Sequence, residues 1–514
     1  MKISNLNQKF LIRAHTILGL FAIFLFYIST YFGTITVFLP YIKAWENPSR
    51  HFISSEKEIN LDSILPKIIK EKELSNNIEI IFPSFRDKAL SINDETSKTI
   101  YINPQTNQIL NTNFETNFIS KFFNEIHIGR NIPKIGVFLM GVASVLMIFL
   151  SISGVILWVV NKKRNRKKES AYLKWHKNLS LALLPFILVF SITGAFLGFM
   201  LSYSSPIAYS ASKGVESDFR KLVGPILFPR DVKIERSQKA SMLSFERLTS
   251  IANTKYPDLE IKRIKLSKWY EENAKIKFIG HIKDNRAISG RINRMHITLS
   301  GKDGRVLNKK DISNANLTNG ILSTFYFLHF IPDETLVLRI VYFIFGIIMA
   351  VSLSFGFLIY SEKKAKKNLE DKNYYSILNK LAMATMIGVI PASTLLMFLY
   401  WYLPFDLFQR DIWLKGSFYA LWAGTLFYSV LKDSVLKVIN HLLFIASIFL
   451  VLTVLYHGIS TGFYPWISLN EKLYDIFFVD FISLVFALVF FLFSKKSKDI
   501  KFFFKYDGDR YENQ

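Results

Sequence analysis

Apolar runs of twenty or more residues alternate with polar segments along the chain. A helix of about 20 apolar residues is long enough to cross the hydrocarbon core of a bilayer. We therefore predict a mainly α-helical, polytopic membrane protein with about eight transmembrane helices. The first four are placed at residues 8–42, 133–160, 174–203 and 336–360, and Pro185 is predicted to kink the third.

A C-terminal membrane module of four more helices is predicted at residues 377–494. Its apolar runs lie at about 377–403, 412–431, 435–457 and 473–493. An even number of helices places both ends of the chain on the same side of the membrane.

Two long polar segments, residues 43–132 and 204–335, separate the first four helices. In the first, ILPKIIKEKEL is typical of a helix and TIYINPQTNQIL of two strands joined by a turn. In the second, SFERLTSIANTKYP is typical of a helix and MHITLSGKDGRVL of a hairpin. Each segment is therefore expected to form a small α/β domain.

The basic residues behind the net charge of +24 cluster in short segments beside the apolar runs. Three such segments are residues 161–173, 361–376 and 495–514, and Lys2, Lys9 and Arg13 lie at the N-terminal end of the first helix. Cytoplasmic loops carry an excess of Lys and Arg, so both termini are predicted to be cytoplasmic and both polar domains extracytoplasmic. No basic face with interleaved aromatic residues stands apart from these segments, so the expected partner is membrane lipid and not nucleic acid.

Histidines and glycines recur at matching places in the first and third helices. The pattern H-x-x-L-x-L begins at His15 and again at His176, and Gly33 and Gly194 each follow their histidine by eighteen residues. Eighteen residues make five helical turns, or about 27 Å, which is nearly the thickness of a membrane.

The second and fourth helices repeat a related pattern. His127 and His329 each precede an apolar run, and Gly154 and Gly356 each follow their histidine by twenty-seven residues. The first 360 residues are therefore interpreted as a duplicated unit of helix, polar domain and helix. The glycines are equally typical of close packing between helices.

The predicted topology groups the four histidines into two pairs. His15 and His176 lie at the cytoplasmic edge of the membrane, and His127 and His329 lie at the outer edge. Two imidazoles on different helices of an apolar bundle are what a bis-imidazole haem requires, and two such pairs would give an electron path across the bilayer. Anchoring at the interface and hydrogen bonding in the core are the alternative roles for single histidines.

Other residues narrow the possible cofactors. The chain has no cysteine, which excludes disulfides, thiolate zinc sites, iron–sulfur clusters and covalently attached c-type haem. His441 and His457, near the two ends of one predicted helix, are weaker candidates for haem iron ligands because no repeat supports them. His51, His281 and His296 are predicted to be surface residues.

The chain resembles the PepSY-associated transmembrane helix family, which includes iron-regulated membrane proteins and inner-membrane ferric-siderophore reductases. The resemblance covers about residues 8–362 and is carried by LKWHKNLSLALLPFILVFSITGAFLG, TIYINPQTNQIL, ISGVILWVV and FLHFIPDETLVLRIVYFIFGIIMAVSLSFGFLIY. It implies two extracytoplasmic PepSY domains and, for the siderophore-reductase branch, b-type haem held by the histidines at the helix ends, that is, His15, His127, His176 and His329. The two pairs inferred from topology make two haems the expected number. The four C-terminal helices depart from the family's four-helix members.

The leading functional hypothesis is a haem-dependent ferric-siderophore reductase of the bacterial inner (plasma) membrane. The chain has no nucleotide-binding glycine motif or flavin fingerprint, so a quinol or a redox protein is the expected electron donor. The alternative is a non-catalytic PepSY sensor or peptidase-regulating protein. Few charges lie inside the first four helices, which disfavours a transporter.

Overall fold

The computed structural model divides into two compact units. The first consists of Met1–Glu46, Phe114–Ser202 and Thr335–Gln514, and the second of Asn47–Asn113 and Tyr203–Glu334. The structure describes residues 5–53, 59–96, 98–113, 115–133, 135–161, 170–218, 221, 238–283, 294–314, 317–331, 335–367 and 372–496. Most of the two basic segments predicted at 161–173 and 495–514 falls outside these ranges.

Helices dominate the described part of the chain. In order they are α1 (Asn5–Thr36), α2 (Leu39–Glu46), α3 (Leu61–Lys72), α4 (Phe118–His127), α5 (Gly136–Asn161), α6 (Ala171–Ala182), α7 (Leu184–Ala211), α8 (Phe245–Lys255), α9 (Leu317–Phe330), α10 (Leu336–Lys367), α11 (Lys372–Ile387), α12 (Val389–Tyr402), α13 (Arg410–Val430), α14 (Val435–Thr461), α15 (Pro465–Asn470) and α16 (Tyr474–Lys496).

Six helical segments of the described residues are long and apolar enough to cross a membrane, and the bent pair α6 and α7 makes a seventh if it counts as one span. The six are Leu6–Thr36, Gly136–Asn161, Leu336–Lys364, Tyr374–Tyr402, Val435–Thr461 and Tyr474–Lys495. The run predicted at 412–431 is helical but is not among these spans. Its helix, α13, begins with Arg410 and Asp411 and also carries Lys415, so it is less apolar than its neighbours.

The third predicted helix is broken. Helix α6 ends at Ala182, α7 begins at Leu184, and their axes differ by 70°. Pro185 lies in the first turn of α7 and has no backbone N–H, so the hydrogen-bond ladder cannot continue through it. The predicted kink at Pro185 is confirmed, and it is sharp enough to make two helices.

Close approach of helix backbones shapes the first unit. A Cβ on Gly198 of α7 would lie 2.7 Å from the Cα of Gly141 in α5, so only a hydrogen fits at this crossing. Such contacts between small residues are typical of helix pairs in membranes. Elsewhere in this unit, the aromatic side chains of Phe32, Phe122 and Phe418 are fully buried against one another.

One antiparallel sheet forms the core of the second unit. Its described strands are β1 (Ile78–Ile81), β2 (Leu90–Asp94), β3 (Thr99–Ile102), β4 (Leu259–Ser267), β5 (Lys275–Ile282), β6 (Met295–Ser300) and β7 (Val306–Lys310), in the order β3-β2-β1-β4-β5-β6-β7. In β5 every second side chain is buried, as expected for a strand with one face on the core. Helices α3 and α8 bury Leu65 and Leu248 in the core they share with the sheet.

The two polar segments therefore share one sheet, whereas the sequence predicted a separate domain for each. The junction is the pairing of β1 with β4, in which Ile80 lies opposite Ile264. Asp62 of α3 provides a second junction, because its carboxylate accepts the N–H groups of Phe245 and Glu246 at 2.7 and 3.0 Å. These are the first residues of α8, so a side chain from the first segment caps a helix of the second.

Candidate functional site

His127 is the last residue of α4, and its ring lies against α1. Its Nδ1 is 2.8 Å from the carbonyl oxygen of Ser29, so Nδ1–H donates to that carbonyl. The Ser29 hydroxyl in turn donates to the carbonyl of His127 at 3.0 Å. A Cβ on Gly33 would lie 2.8 Å from Cε1 and 2.9 Å from Nδ1 of the ring, so this position has room for glycine alone. Burial lowers the pKa of His127 and favours a neutral imidazole.

His176 lies in α6 and makes the same kind of contact with α10. Its Nδ1–H donates to the carbonyl of Ser352 at 2.9 Å. A Cβ on Gly356 would lie 3.4 Å from Cε1 of the ring, so the imidazole covers the glycine here as well. In both cases the accepting carbonyl belongs to the residue four positions before the glycine. Because glycine has no side chain, the histidine ring can reach that carbonyl from the side of the helix.

His15 of α1 contacts α5 through a serine hydroxyl. Its Nδ1 is hydrogen-bonded to Oγ of Ser153 at 2.8 Å, and that Oγ is also 3.1 Å from the carbonyl oxygen of Leu150. A hydroxyl both donates and accepts, so Ser153 orients the His15 ring with Nδ1 either protonated or unprotonated. The ring again faces a glycine, because a Cβ on Gly154 would lie 3.5 Å from its Cε1.

His127 and His176 are therefore held in the same tautomer. Each donates through Nδ1 to a carbonyl, so in the neutral ring Nε2 carries the lone pair that a metal ion would bind. Histidines that ligate metals almost always have this second hydrogen bond, which fixes the ring and makes the ligating nitrogen more basic. The donor set fits a group that takes neutral imidazole nitrogens, such as haem iron.

The positions of the rings along α1 define two separate sites. His15 and His176 are near enough for a charge on one ring to affect the other. His127 contacts α1 at Gly33, eighteen residues after His15, which places it about 27 Å farther along the helix. One helix thus contacts a histidine site near each of its ends.

The other predicted histidines have different surroundings. His329 lies in α9 of the second unit, half-buried, with its ring centroid 5.2 Å from that of Phe330. His441 is exposed and hydrogen-bonded to the hydroxyl of Tyr428. His457 is fully buried and bonded to Asp480 at 2.8 Å. His296, predicted on the surface, is instead buried in β6.

Two features of the site were missed in the sequence. The first is the set of hydrogen-bond partners Ser29, Ser153 and Ser352, two of which act through backbone carbonyls that leave no mark in composition. A signal was nevertheless present, because S-x-x-F-G occurs at 29–33 and again at 352–356. The second is Glu46, whose carboxylate binds the first turn of the helix that carries His127.

No group of three or more His, Cys, Asp or Glu side chains within the described ranges could hold a metal ion. A bis-imidazole site needs only two protein ligands per iron, so its ligands would not form such a group.

The apolar helices define a multi-pass membrane protein. The model of the family described as the PepSY-associated TM region matches residues 12–363, more than half of the chain, and the protein belongs to this family. A search of curated proteins finds no match.

Proposed function

We propose that the protein is a haem-b electron-transfer protein of a bacterial inner membrane, with both termini in the cytoplasm, that reduces a ferric chelate on the extracytoplasmic side. The observation that carries the proposal is that His15, His127 and His176 each have Nδ1 hydrogen-bonded and each face a helix glycine. A histidine that binds a metal through one ring nitrogen almost always has such a partner on the other nitrogen.

The chain offers ligands for two haems. His15 and His176 would hold the inner one, and His127 and His329 the outer one, with His329 assigned from the sequence repeat alone. When bound, haem supplies reversible one-electron chemistry. The carbonyls of Ser29 and Ser352 and the hydroxyl of Ser153 fix the ring orientations, and the glycines let the rings lie against the helices.

The proposed reaction transfers one electron to each ferric chelate, such as a ferric siderophore. A reduced redox protein would supply one electron, whereas a quinol would supply two electrons to two chelates and release two protons as it becomes a quinone. The iron changes from Fe(III) to Fe(II), and its bonds to hard oxygen donors weaken as its charge falls. No proton has to be moved to or from the chelate in that step, so the chain needs no acid–base residue at the acceptor site.

The test is a reduced-minus-oxidised optical spectrum of the purified protein with its haem-to-protein ratio. We expect two b-type haems per chain. His15→Ala and His176→Ala should each remove the same inner haem, and His127→Ala the outer one. His441→Ala changes an exposed histidine outside these sites and is the matched control. A protein without haem absorbance, or a full haem content after His176→Ala, would refute the assignment and favour the non-catalytic sensor.

A further inference from the structure

The helix that carries His127 is short. Helix α4 has ten residues, and isolated helices of fewer than about 12–15 residues are only marginally stable. One face of α4 is apolar and buried, including Phe118, Phe122 and Phe123. The position of His127, the last residue of α4, therefore depends on the side chains that contact this helix along its length.

A buried carboxylate caps the start of α4. Glu46, the last residue of α2, has no exposed surface. Its Oε2 accepts the N–H of Ile119 at 2.6 Å, and its Oε1 accepts the N–H of Ser120 at 3.3 Å and also the Ser120 hydroxyl. The N–H groups of a first turn have no acceptor within their own helix. A cap normally comes from the residue just before the helix, whereas Glu46 lies 73 residues before Ile119.

The C-terminal module, which comprises α11 to α16, binds the end of α2. The hydroxyl of Tyr400, in α12, donates to the backbone carbonyl of Glu46 at 2.7 Å. The indole N–H of the neighbouring Trp45 donates to Oδ1 of Asp480, in α16, at 2.8 Å, and Oδ2 of Asp480 is hydrogen-bonded to Nδ1 of His457 at 2.8 Å. All five side chains are fully buried. Two helices of the module therefore fix the position of the residue that caps α4.

The module also packs directly on α4. The Phe418 ring, in α13, meets the Phe122 ring edge-on, with the ring centroids 5.1 Å apart. The Tyr419 hydroxyl accepts a hydrogen bond from Asn131, just after the end of α4, at 3.0 Å. The Phe418 ring centroid also lies 6.2 Å from that of Phe32 in α1. Helix α13 thus contacts both α4 and the helix against which the His127 ring lies.

The inner pair of histidines has its hydrogen-bond partners in the duplicated unit. His15 is bonded to Ser153 of α5, and His176 to the carbonyl of Ser352 in α10. His127 is bonded to α1, but the start of its helix is bound to the module through Glu46. A change where α2, α4 and the module meet should therefore affect the outer histidine and spare the inner pair.

We propose that the C-terminal module positions the outer histidine, and that Glu46 is the positioning residue that connects the module to α4. The module fixes the end of α2, and the Glu46 carboxylate binds the first turn of α4 to it. The His127 ring is thereby kept against Gly33. The effect on an outer haem rests on the proposed function, whereas the stabilisation of α4 does not.

Hydrogen exchange of the full-length protein in detergent, as purified and after haem extraction, tests the stabilisation of α4. Glu46→Ala removes the acceptor of Ile119 and Ser120, so the protection of α4 should fall about tenfold, the usual order for a lost cap. Glu46→Gln keeps an oxygen that accepts one of these N–H groups and should restore most of the protection. Asp62→Ala is the matched control, because it removes the carboxylate that caps α8. It should lower the protection of α8 and leave that of α4 unchanged.

Tyr400→Phe tests whether the module acts through Glu46. It removes only the hydroxyl that donates to the Glu46 carbonyl, so the protection of α4 should fall about 2- to 10-fold, as expected for one hydrogen bond. In the Glu46→Ala background the same change should have no further effect, because the connection between α2 and α4 is already broken. Equal effects of Tyr400→Phe in both backgrounds, or full protection of α4 in Glu46→Ala, would overturn the proposal. Should Glu46→Ala not fold, Tyr400→Phe alone decides, and unchanged protection of α4 would overturn the proposal.

Haem dissociation measures the consequence for the outer site. Glu46→Ala should speed the loss of the haem that His127→Ala removes about tenfold, and change the loss of the inner haem by less than about twofold. Equal losses of both haems would overturn the positioning role. A protein that contains no haem would refute the proposed function alone, because the hydrogen-exchange results do not depend on haem.

Discussion

Replacing Gly33 by alanine should dislodge His127. The new methyl group would lie 2.8 Å from Cε1 of the ring, whereas carbon atoms in contact are about 3.5–4.0 Å apart, so the ring has to move by about 1 Å. That movement stretches the 2.8 Å bond from Nδ1–H to Ser29 beyond hydrogen-bonding distance. A buried donor left without its acceptor costs about 1–3 kcal/mol, and loss of such a bond typically weakens metal binding about 10- to 100-fold.

The matched control is Gly154→Ala, which adds the same methyl group beside another histidine. There the methyl would lie 3.5 Å from Cε1 of His15, an ordinary contact. Both changes put alanine into a helix, which by itself stabilises the helix by about 0.5–1 kcal/mol, so helix propensity cannot explain a loss in one variant alone. Gly33→Ala should lose the outer haem, and Gly154→Ala should keep both, as measured by reduced-minus-oxidised spectra and haem content. Full haem content and an unchanged spectrum in Gly33→Ala would refute the role of His127.

Further predictions concern the inner site and pH. Ser153→Ala removes the hydrogen-bond partner of His15 and should weaken the binding of the inner haem about 10- to 100-fold in a haem-dissociation assay, and unaltered dissociation would contradict this role. Ser352→Ala should leave the haem bound, because the backbone carbonyl that holds His176 remains, and loss of haem there would argue against the assigned bond. With the pKa of Glu46 raised from 4.5 to about 7, the folded state binds more protons between these values, so its contribution to the free energy of unfolding falls by on the order of 3 kcal/mol as the pH rises through them. Glu46→Gln should flatten this profile in denaturant titrations, and a profile that stays the same would exclude Glu46 as its source.

The local features of the fold could be predicted from the sequence. Long apolar runs predicted the membrane helices, and the segments TIYINPQTNQIL and MHITLSGKDGRVL predicted strands β3, β6 and β7. The pairing of β1 with β4 was not predictable, because it joins residues in segments separated by two predicted membrane helices and no local pattern encodes such a partner. Helix α13 was predicted to span the membrane because only its apolar residues were considered. The charged residues in its first turns were not taken into account.

The histidines were found because the duplication repeats them, and their acceptors were missed because two are backbone carbonyls. Every residue of a helix has a backbone carbonyl. Only the glycine that follows four residues later distinguishes Ser29 and Ser352 from other helical positions. The cluster around Asp480 was missed for a different reason. Trp45, His457 and Asp480 are far apart in the chain and belong to no repeat, so only the folded structure brings them together.

The shared sheet of the second unit constrains how the protein is made. Strands β1 to β3 leave the ribosome long before β4, which completes the pairing of β1. During that interval the open edge of β1 and one apolar face are exposed to any other unpaired strand nearby. A chain that stops after α5 would keep this exposed edge permanently, so shortened versions of the protein should aggregate or be degraded rather than persist as an independent half.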